Sequence, residues 1–186
     1  MTPLLNRRDF FGLAAAGLGA ATSTPKVLVA YASRCGSTHE IAQAVARDLT
    51  GRGYAVDLRV AGKAVPLAGY QAVVLGSAVR FGHWLPGAVD FVRRHQAELK
   101  RVPTAFFSVH ILNTGADEAS RKARLAYTEP VRAVVQPGVE AFFAGKMDLS
   151  RLSFFERTLG KLMKARDADL RDWSAIHAWA HGIFSV

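Results

Sequence analysis

The chain has 186 residues, of which 50% are hydrophobic and 21% are charged, so its composition is that of one folded domain and excludes a disordered polyelectrolyte. Its formal net charge of +9 predicts an acidic partner, which leaves nucleic acid, anionic lipid and a carboxylate-bearing substrate as alternatives. The single cysteine, Cys35, excludes an intrachain disulfide framework and a zinc site built from cysteines.

Residues 1–25 differ in composition from the rest of the chain. Arg7 and Arg8 precede an apolar run rich in Ala, Gly and Leu, which ends before Pro25. This order resembles a twin-arginine export signal, and the run is too short to span a bilayer core of ~30 Å. The alternative is an N-terminal helix that carries two arginines by chance. Excluding the segment removes two basic residues and one acidic residue, so residues 26–186 keep a net charge of +8.

Downstream of this segment, short β-branched and aromatic runs alternate with helical patterns, which is typical of a parallel sheet covered by helices. The predicted strands are Lys26–Ala32, Tyr54–Val60, Tyr70–Ala78, Pro103–Val109 and Val139–Ala144. The predicted helices are Thr38–Arg52, Gly87–Lys100, Asp117–Val135 and Trp173–Phe184. The spacing predicts one α/β domain with a flavodoxin-like open parallel five-stranded sheet, strand order 2-1-3-4-5, and helices on both faces.

The loop after the first strand is a candidate binding site, and it reads Ser33-Arg34-Cys35-Gly36-Ser37-Thr38. Free N–H groups and the helix dipole favour an anion at such a strand-to-helix junction, so the loop predicts phosphate binding. The alternative is an ordinary turn capped by the capping box that Ser37 and Glu40 predict. The loop lacks G-x-G-x-x-G and the P-loop lysine, which argues against dinucleotide and nucleoside triphosphate sites. Since the third strand reaches Gly76 and Ser77 without an acidic residue, a phosphoacceptor domain is also disfavoured.

Three further stretches carry a resemblance to a known family. The Ser33–Thr38 loop resembles the FMN-phosphate loop of flavodoxins, with Cys35 where threonine is usual. Gly76–His83, Phe91–His95 and Pro103–Val109 resemble the flavodoxin-type, menaquinone-dependent protoporphyrinogen IX dehydrogenases of haem synthesis. The resemblance implies FMN as cofactor, a porphyrinogen or another reduced small molecule as substrate, and a membrane quinone as electron acceptor.

The resemblance also places the isoalloxazine ring of FMN between two loops, residues 77–84 and residues 108–115. Beside the Ser33–Thr38 loop, the FMN-binding residues that it implies are Ser77, Ala78, Val79, Phe81, Gly82, Trp84, Ser108, Val109, His110, Asn113 and Gly115. Backbone groups of the small residues are expected to contact the ring, since small residues allow close approach. Phe81 or Trp84 is expected to stack on the ring, and each has the alternative of packing under the next helix.

Arg80 and His83 are the candidate catalytic residues. In the implied site, Arg80 pairs with a propionate of the porphyrinogen and His83 relays a proton. The alternatives are a solvated or phosphate-binding arginine and a hydrogen-bonded loop histidine. His177 and His181 have the spacing of two metal ligands, but no third ligand is near in the sequence, so no metal site is predicted.

Residues 146–166 form an unusual basic stretch, with six basic and two acidic residues. Projected as a helix, the stretch has an apolar side opposite a basic side: Leu152, Phe155, Leu159, Leu162 and Met163 against Arg157, Lys161 and Lys164. This pattern predicts an amphipathic insertion that lies on a membrane surface, with a helix docked on the domain as the alternative. No aromatic platform or recognition motif accompanies the charge, so nucleic-acid binding is not expected.

These features favour an FMN-dependent dehydrogenase that passes electrons from a porphyrinogen to a membrane quinone. A non-enzymatic flavodoxin-type electron carrier is one alternative, although such carriers are usually acidic. An NAD(P)H-quinone reductase on the same fold is the other. The expected location is the membrane: the periplasmic side if the export signal acts, and otherwise the cytoplasmic face of the inner membrane.

Overall fold

The computed structural model describes residues 24–62, 65–147 and 168–184. Two predictions therefore fall almost wholly outside the described residues: the export signal over residues 1–25 and the amphipathic helix over residues 146–166. No helix within the described ranges is long and apolar enough to cross a membrane.

The main sheet is parallel and open. It is built from β1 (Lys26–Ala32), β2 (Ala55–Val60), β3 (Ala72–Arg80), β5 (Thr104–His110) and β6 (Val139–Ala144), in the order β2-β1-β3-β5-β6. A two-residue strand, β4 (His83–Trp84), turns back antiparallel on β3. Without this short return, the order of the long strands is the predicted 2-1-3-4-5, so the flavodoxin-like fold is confirmed.

Helices cover both faces of the sheet. They are α1 (Ser37–Gly51), α2 (Pro86–Arg94), α3 (Gln96–Leu99), α4 (Glu118–Arg132) and α5 (Trp173–Gly182). The single helix predicted over residues 87–100 is two helices, because His95 leaves the helical conformation with φ −106° and ψ 21°. Two short strands, β7 (Lys146–Met147) and β8 (Ala168–Asp169), pair antiparallel at the two ends of residues 148–167.

The core has two layers because side chains alternate across each strand. In β1, Val27 and Val29 pack in the layer under α1 and α5, whereas Leu28 and Ala30 pack in the layer that includes α2 and the end of α4. All four are fully buried. A strand that is covered on both faces reads as a continuous apolar run, which is the pattern seen from Val27 onwards.

Gly76 of β3 lies against an aromatic side chain of the neighbouring strand. It pairs in register with Phe107 of β5, and a Cβ at this position would lie 1.9 Å from the Phe107 Cζ atom. Phe107 is fully buried, with its ring centroid 6.1 Å from that of Phe143 and 5.9 Å from that of Trp179. The sheet therefore accepts only glycine here, four residues before β3 ends at Arg80.

Candidate functional site

The candidate site lies at the carboxyl edge of the sheet. Ala32 pairs with Ser77, Ser77 with Ser108 and Ser108 with Phe142, so β1, β3, β5 and β6 end at about the same level. The strand order reverses between β1 and β3. The chain first places β2 on one side of β1, and then places β3, β5 and β6 on the other side. In open α/β sheets ligands bind at this edge and at this switch point.

The first loop (Ser33–Thr38) joins β1 to α1. Gly36 has φ +99° and precedes the first residue of α1, and its N–H donates to Ser33 Oγ at 3.1 Å. Ser33, Cys35 and Ser37 are half-buried, and Arg34 is exposed. The capping-box prediction is wrong: no side chain of the described residues caps α1, and Glu40 accepts a hydrogen bond from Arg171 at 2.5 Å instead of turning back to the loop.

Thr38 provides the most informative observation in the first loop. Its side chain is fully buried, yet among the described residues its Oγ1 atom has no hydrogen-bond partner. A buried hydroxyl without a partner costs about 1–3 kcal/mol, so buried polar groups are nearly always satisfied. The hydroxyl at the start of α1 is therefore suited to a polar group that comes from a ligand.

A second glycine narrows the space beside the first loop. Gly145 follows β6, and its N–H donates to the His110 carbonyl at 2.7 Å. A Cβ at this position would lie 2.9 Å from Val109 Cγ1 and 3.4 Å from Ser37 Oγ. Sequence reasoning missed Gly145, and the available signal was a glycine directly after the last long strand.

β3 and β4 form a tight hairpin beside the first loop. Arg80 pairs with His83, and the two residues between them have positive φ: 51° for Phe81 and 78° for Gly82. Two central residues with positive φ are found in type I′ turns, where Asn-Gly is preferred. Phe81 is 72% exposed, and the Arg80 Cζ atom lies 4.7 Å from its ring centroid. The hairpin thus presents an aromatic side chain, a guanidinium and the exposed His83 at the edge of the sheet.

Phe81 occupies a backbone conformation that a bulky side chain adopts at a cost. We expect Phe81→Asn to raise the free energy of unfolding by about 1 kcal/mol, because asparagine adopts positive φ readily. Chemical denaturation of the two proteins measures the difference. A variant less stable than the parent would show that contacts of the phenyl ring outweigh the strain.

Other predicted cofactor-binding side chains hold the hairpin in place. Trp84 is 4% exposed, and its Nε1 atom donates to Ser108 Oγ at 2.8 Å. Ser77 Oγ accepts from the Leu85 N–H at 3.0 Å. The burial of Trp84 favours its alternative role of packing inside the domain, and Phe81 is the exposed aromatic side chain of the hairpin.

Three of the other residues proposed for this site remain in the sheet. Val79 pairs with Trp84, Ala78 pairs with Val109, and Val109 also pairs with Phe143. Their backbone groups thus take part in strand pairing, and Val109 is 4% exposed. Of the small residues predicted to contact the ring, Gly82 lies in the turn beyond the strand pairs.

His110 ends β5 and is a second buried polar residue with an unused atom. Its side chain is 4% exposed, and Nδ1 lies 2.6 Å from the Leu112 carbonyl, so Nδ1 carries the hydrogen. Nε2 is consequently an acceptor, and in the described parts of the chain it has no partner. Burial lowers the pKa of His110, so the ring is neutral at pH 7.

The lowered pKa of His110 predicts a loss of stability in mild acid. Below the ordinary pKa of 6.5, His110 takes up a proton in the unfolded chain more readily than in the folded protein. The free energy of unfolding therefore decreases as the pH is lowered. The pKa values of Asp117 and Asp169 are also lowered by hydrogen bonds, and their contribution is lost only below 3.8. We expect the slope between pH 6.5 and 5 to be smaller in His110→Gln when measured by denaturation at each pH. Equal slopes would contradict this role of His110.

The loop between β5 and α4 is held by two residues of α4. Asn113 has φ +58°, and its side-chain amide donates to the Tyr127 hydroxyl at 2.6 Å. Arg124 Nη1 donates to the carbonyls of Asn113 and Gly115 at 2.5 and 2.7 Å. Asn113 and Gly115 therefore shape the loop, while Leu112 is 62% exposed at its tip. Sequence reasoning missed Arg124 and Tyr127, because only the fold brings them to the loop.

The two histidines with metal-ligand spacing are placed on α5, away from the first loop. His177 Nδ1 lies 2.6 Å from Asp48 Oδ2 of α1. Across the described ranges, no group of three or more His, Cys, Asp or Glu side chains is arranged to hold a metal ion.

Comparisons with known proteins agree with this architecture. Residues 28–172 match the sequence model of the flavodoxin domain family. Two proteins named protoporphyrinogen IX dehydrogenase [quinone] are similar over most of the chain. The one from Leishmania major is 29% identical over 86% of this chain and 75% of its own length. The one from Escherichia coli K12 is 26% identical over 85% of this chain and 94% of its own length.

A solved structure shows the same fold. A short-chain flavodoxin associated with a bacterial microcompartment superposes with a TM-score of 0.54 at 15% identity. The superposition covers 86% of this chain and 97% of that flavodoxin. At this identity the likeness establishes the fold alone.

Proposed function

The chain belongs to the flavodoxin domain family. We propose that it is an FMN-dependent oxidoreductase that passes electrons from a porphyrinogen to a quinone. The names of the two relatives support a porphyrinogen as substrate and a quinone as acceptor. The observation that supports FMN as the cofactor is the buried hydroxyl of Thr38 at the start of α1, which finds no hydrogen-bond partner within the described ranges.

The residues at the carboxyl edge of the sheet are suited to bind FMN. The first loop would hold the phosphate, because it leads from β1 into the N-terminus of α1 and Thr38 has a hydroxyl to donate. Phe81 would supply an aromatic face, and the loop after β5 would close the opposite side. A bound flavin supplies the redox chemistry, whereas the chain binds, orients and shields it.

The hairpin gives the substrate side of the proposed site its charge. Arg80 and His83 lie opposite each other across the pair of strands, next to the exposed Phe81 ring. A planar guanidinium binds a carboxylate through two parallel hydrogen bonds, so Arg80 would orient a propionate of a porphyrinogen. His83 would hold or pass a proton, since histidine exchanges protons near neutral pH.

The cofactor and the activity are tested on the full-length protein. The purified protein should be yellow, and mass spectrometry of the released chromophore should identify FMN. Anaerobic turnover then compares three reactions: porphyrinogen oxidation with a menaquinone analogue, oxidation of NADH or NADPH with the same quinone, and reduction by a flavodoxin reductase alone. Fastest turnover in the first reaction supports the proposal, whereas turnover only in the second or third supports a quinone reductase or an electron carrier.

Arg80→Met should raise the KM for the porphyrinogen about tenfold to a hundredfold with little change in kcat, because a charge-assisted hydrogen bond contributes about 1.5–3 kcal/mol. Steady-state kinetics with the quinone analogue measures both constants. Arg93→Met is the matched control, since Arg93 is an exposed arginine in the last turn of α2 and lies outside the proposed site. An unchanged KM in the Arg80 variant would remove Arg80 from substrate binding.

We propose further that the protein works at a membrane surface. Support comes from the basic stretch over residues 146–166 and from the lipid solubility of quinones. Flotation with vesicles that contain anionic phosphatidylglycerol should capture the protein at low salt and release it at high salt. Cell fractionation with an antibody to the domain would distinguish the periplasmic from the cytoplasmic face, and recovery of all the protein in the supernatant would contradict the proposal.

A further inference from the structure

Arg171 follows β8 and is enclosed between two carboxylates. Its Nε and Nη2 atoms bond both oxygens of Asp169 at 2.7 and 2.5 Å, and its Nη1 atom bonds Glu40 Oε2 at 2.5 Å. The Arg171 side chain is 6% exposed, and its Cζ atom lies 4.7 Å from the ring centroid of Trp173. With this bonding, the guanidinium is committed to the two carboxylates and is not itself a ligand for an anion.

Glu40 lies where a carboxylate would oppose phosphate binding. Its N–H donates to the Gly36 carbonyl at 3.0 Å, which closes the first turn of α1. Residues three and four apart share one side of a helix, so Glu40 is on the side of α1 that carries Gly36 and Ser37. A phosphate on the first loop and an unpaired carboxylate one turn away would repel each other.

The backbone next to Arg171 is hydrogen-bonded to Gly145, which lies beside the first loop. Leu170 N–H donates to the Gly145 carbonyl at 3.1 Å, and a Cβ on Gly145 would lie 3.4 Å from Ser37 Oγ. Lys146 pairs with Asp169 beside this contact. Arg171 is thus held by backbone contacts at the position from which it reaches Glu40.

We propose that Arg171 is a positioning residue that makes the first loop selective for a phosphorylated flavin, by neutralising Glu40. Arg171 acts on the phosphate only through Glu40 and favours FMN over riboflavin, which has no phosphate. This inference rests on the proposed function, since it assumes that the first loop binds the phosphate of FMN. The hydrogen bonds that Arg171 donates to Asp169 and Glu40 raise its pKa, so the guanidinium is charged at neutral pH.

The test measures the dissociation constants of FMN and of riboflavin for the full-length protein from which flavin has been removed. The ratio of the two constants isolates the contribution of the phosphate. We expect Arg171→Met to lower the preference for FMN about tenfold, the scale on which one nearby unpaired charge acts. Glu40→Gln alone should keep the preference, and the double variant E40Q/R171M should restore it to within about twofold of the parent.

Restoration in the double variant supports the inference, because it shows that Arg171 acts by cancelling the charge of Glu40. An unchanged preference in R171M overturns it, and so does an equal loss of FMN and riboflavin affinity, which would mark a purely structural role. Should R171M not fold, the double variant decides alone: retained preference supports the inference and lost preference overturns it. A parent protein that binds neither flavin contradicts the proposed function itself.

Discussion

Replacing Thr38 by valine should weaken FMN binding about tenfold or more while leaving the flavin-free protein as stable as the parent or about 1 kcal/mol more stable. The two effects have opposite signs for one reason. In the flavin-free protein the Thr38 hydroxyl is fully buried and lacks a partner among the described residues, so valine removes an unsatisfied group of nearly the same size. In the proposed complex the same hydroxyl bonds a charged phosphate. Fluorescence titration and urea denaturation measure the two quantities.

Thr128→Val is the matched control for this experiment. Thr128 is also fully buried, but its Oγ1 atom donates to the Leu125 carbonyl at 3.3 Å within α4. The control should not gain stability and should bind FMN as the parent does. If Thr38→Val binds FMN normally, the phosphate does not use this hydroxyl, and the first loop loses its main support as the cofactor site.

Replacing Gly76 by alanine should destabilise the protein by about 3 kcal/mol or more and leave little folded protein at 37 °C. The added Cβ would lie 1.9 Å from Phe107 Cζ, and the phenyl ring has no free space because Phe143 and Trp179 pack against it. Interiors are packed as densely as organic crystals, so neither strand can move far. Thermal denaturation followed by circular dichroism measures the change.

Two further variants test the cause of this loss. Gly51→Ala at the end of α1 is the control, since no atom of the described residues lies within 4 Å of a Cβ there, and it should be neutral or slightly stabilising. Phe107→Leu in the Gly76→Ala background replaces the clashing phenyl ring by a smaller side chain, and this double variant should recover part of the stability. A Gly76→Ala protein as stable as the parent would show that the two strands separate more easily than this packing implies.

The order and direction of the long strands followed from the sequence because burial on both faces produces continuous apolar runs separated by helical periodicity. Lys26–Ala32 and Val139–Ala144 were predicted with their observed bounds, and the other three long strands shifted by one or two residues at their ends. The break at His95 was not predictable, because the apolar spacing continues through it and only the backbone conformation changes. The β4 return was missed for a related reason: a phenylalanine at positive φ is the opposite of the usual signal for a type I′ turn.

The candidate site was predictable only where its residues are adjacent in the sequence. The first loop was found because a glycine with hydroxyl side chains stood between a strand and a helix. Gly145, Arg124 and Arg171 reach the site from distant parts of the chain, so no local pattern marks them. The capping box failed because Glu40 has a better partner in Arg171, which lies 131 residues later in the sequence.

The antiparallel pairing of β7 with β8 has a consequence for how this protein can change over evolution. Lys146 and Asp169 are paired, so the described residues on either side of residues 148–167 are neighbours in space. Extra length added between such neighbours costs little loop-closure entropy and disturbs no strand of the main sheet. The stretch between them is thus a tolerant point of insertion, at which relatives can differ in length while the flavodoxin domain keeps its architecture.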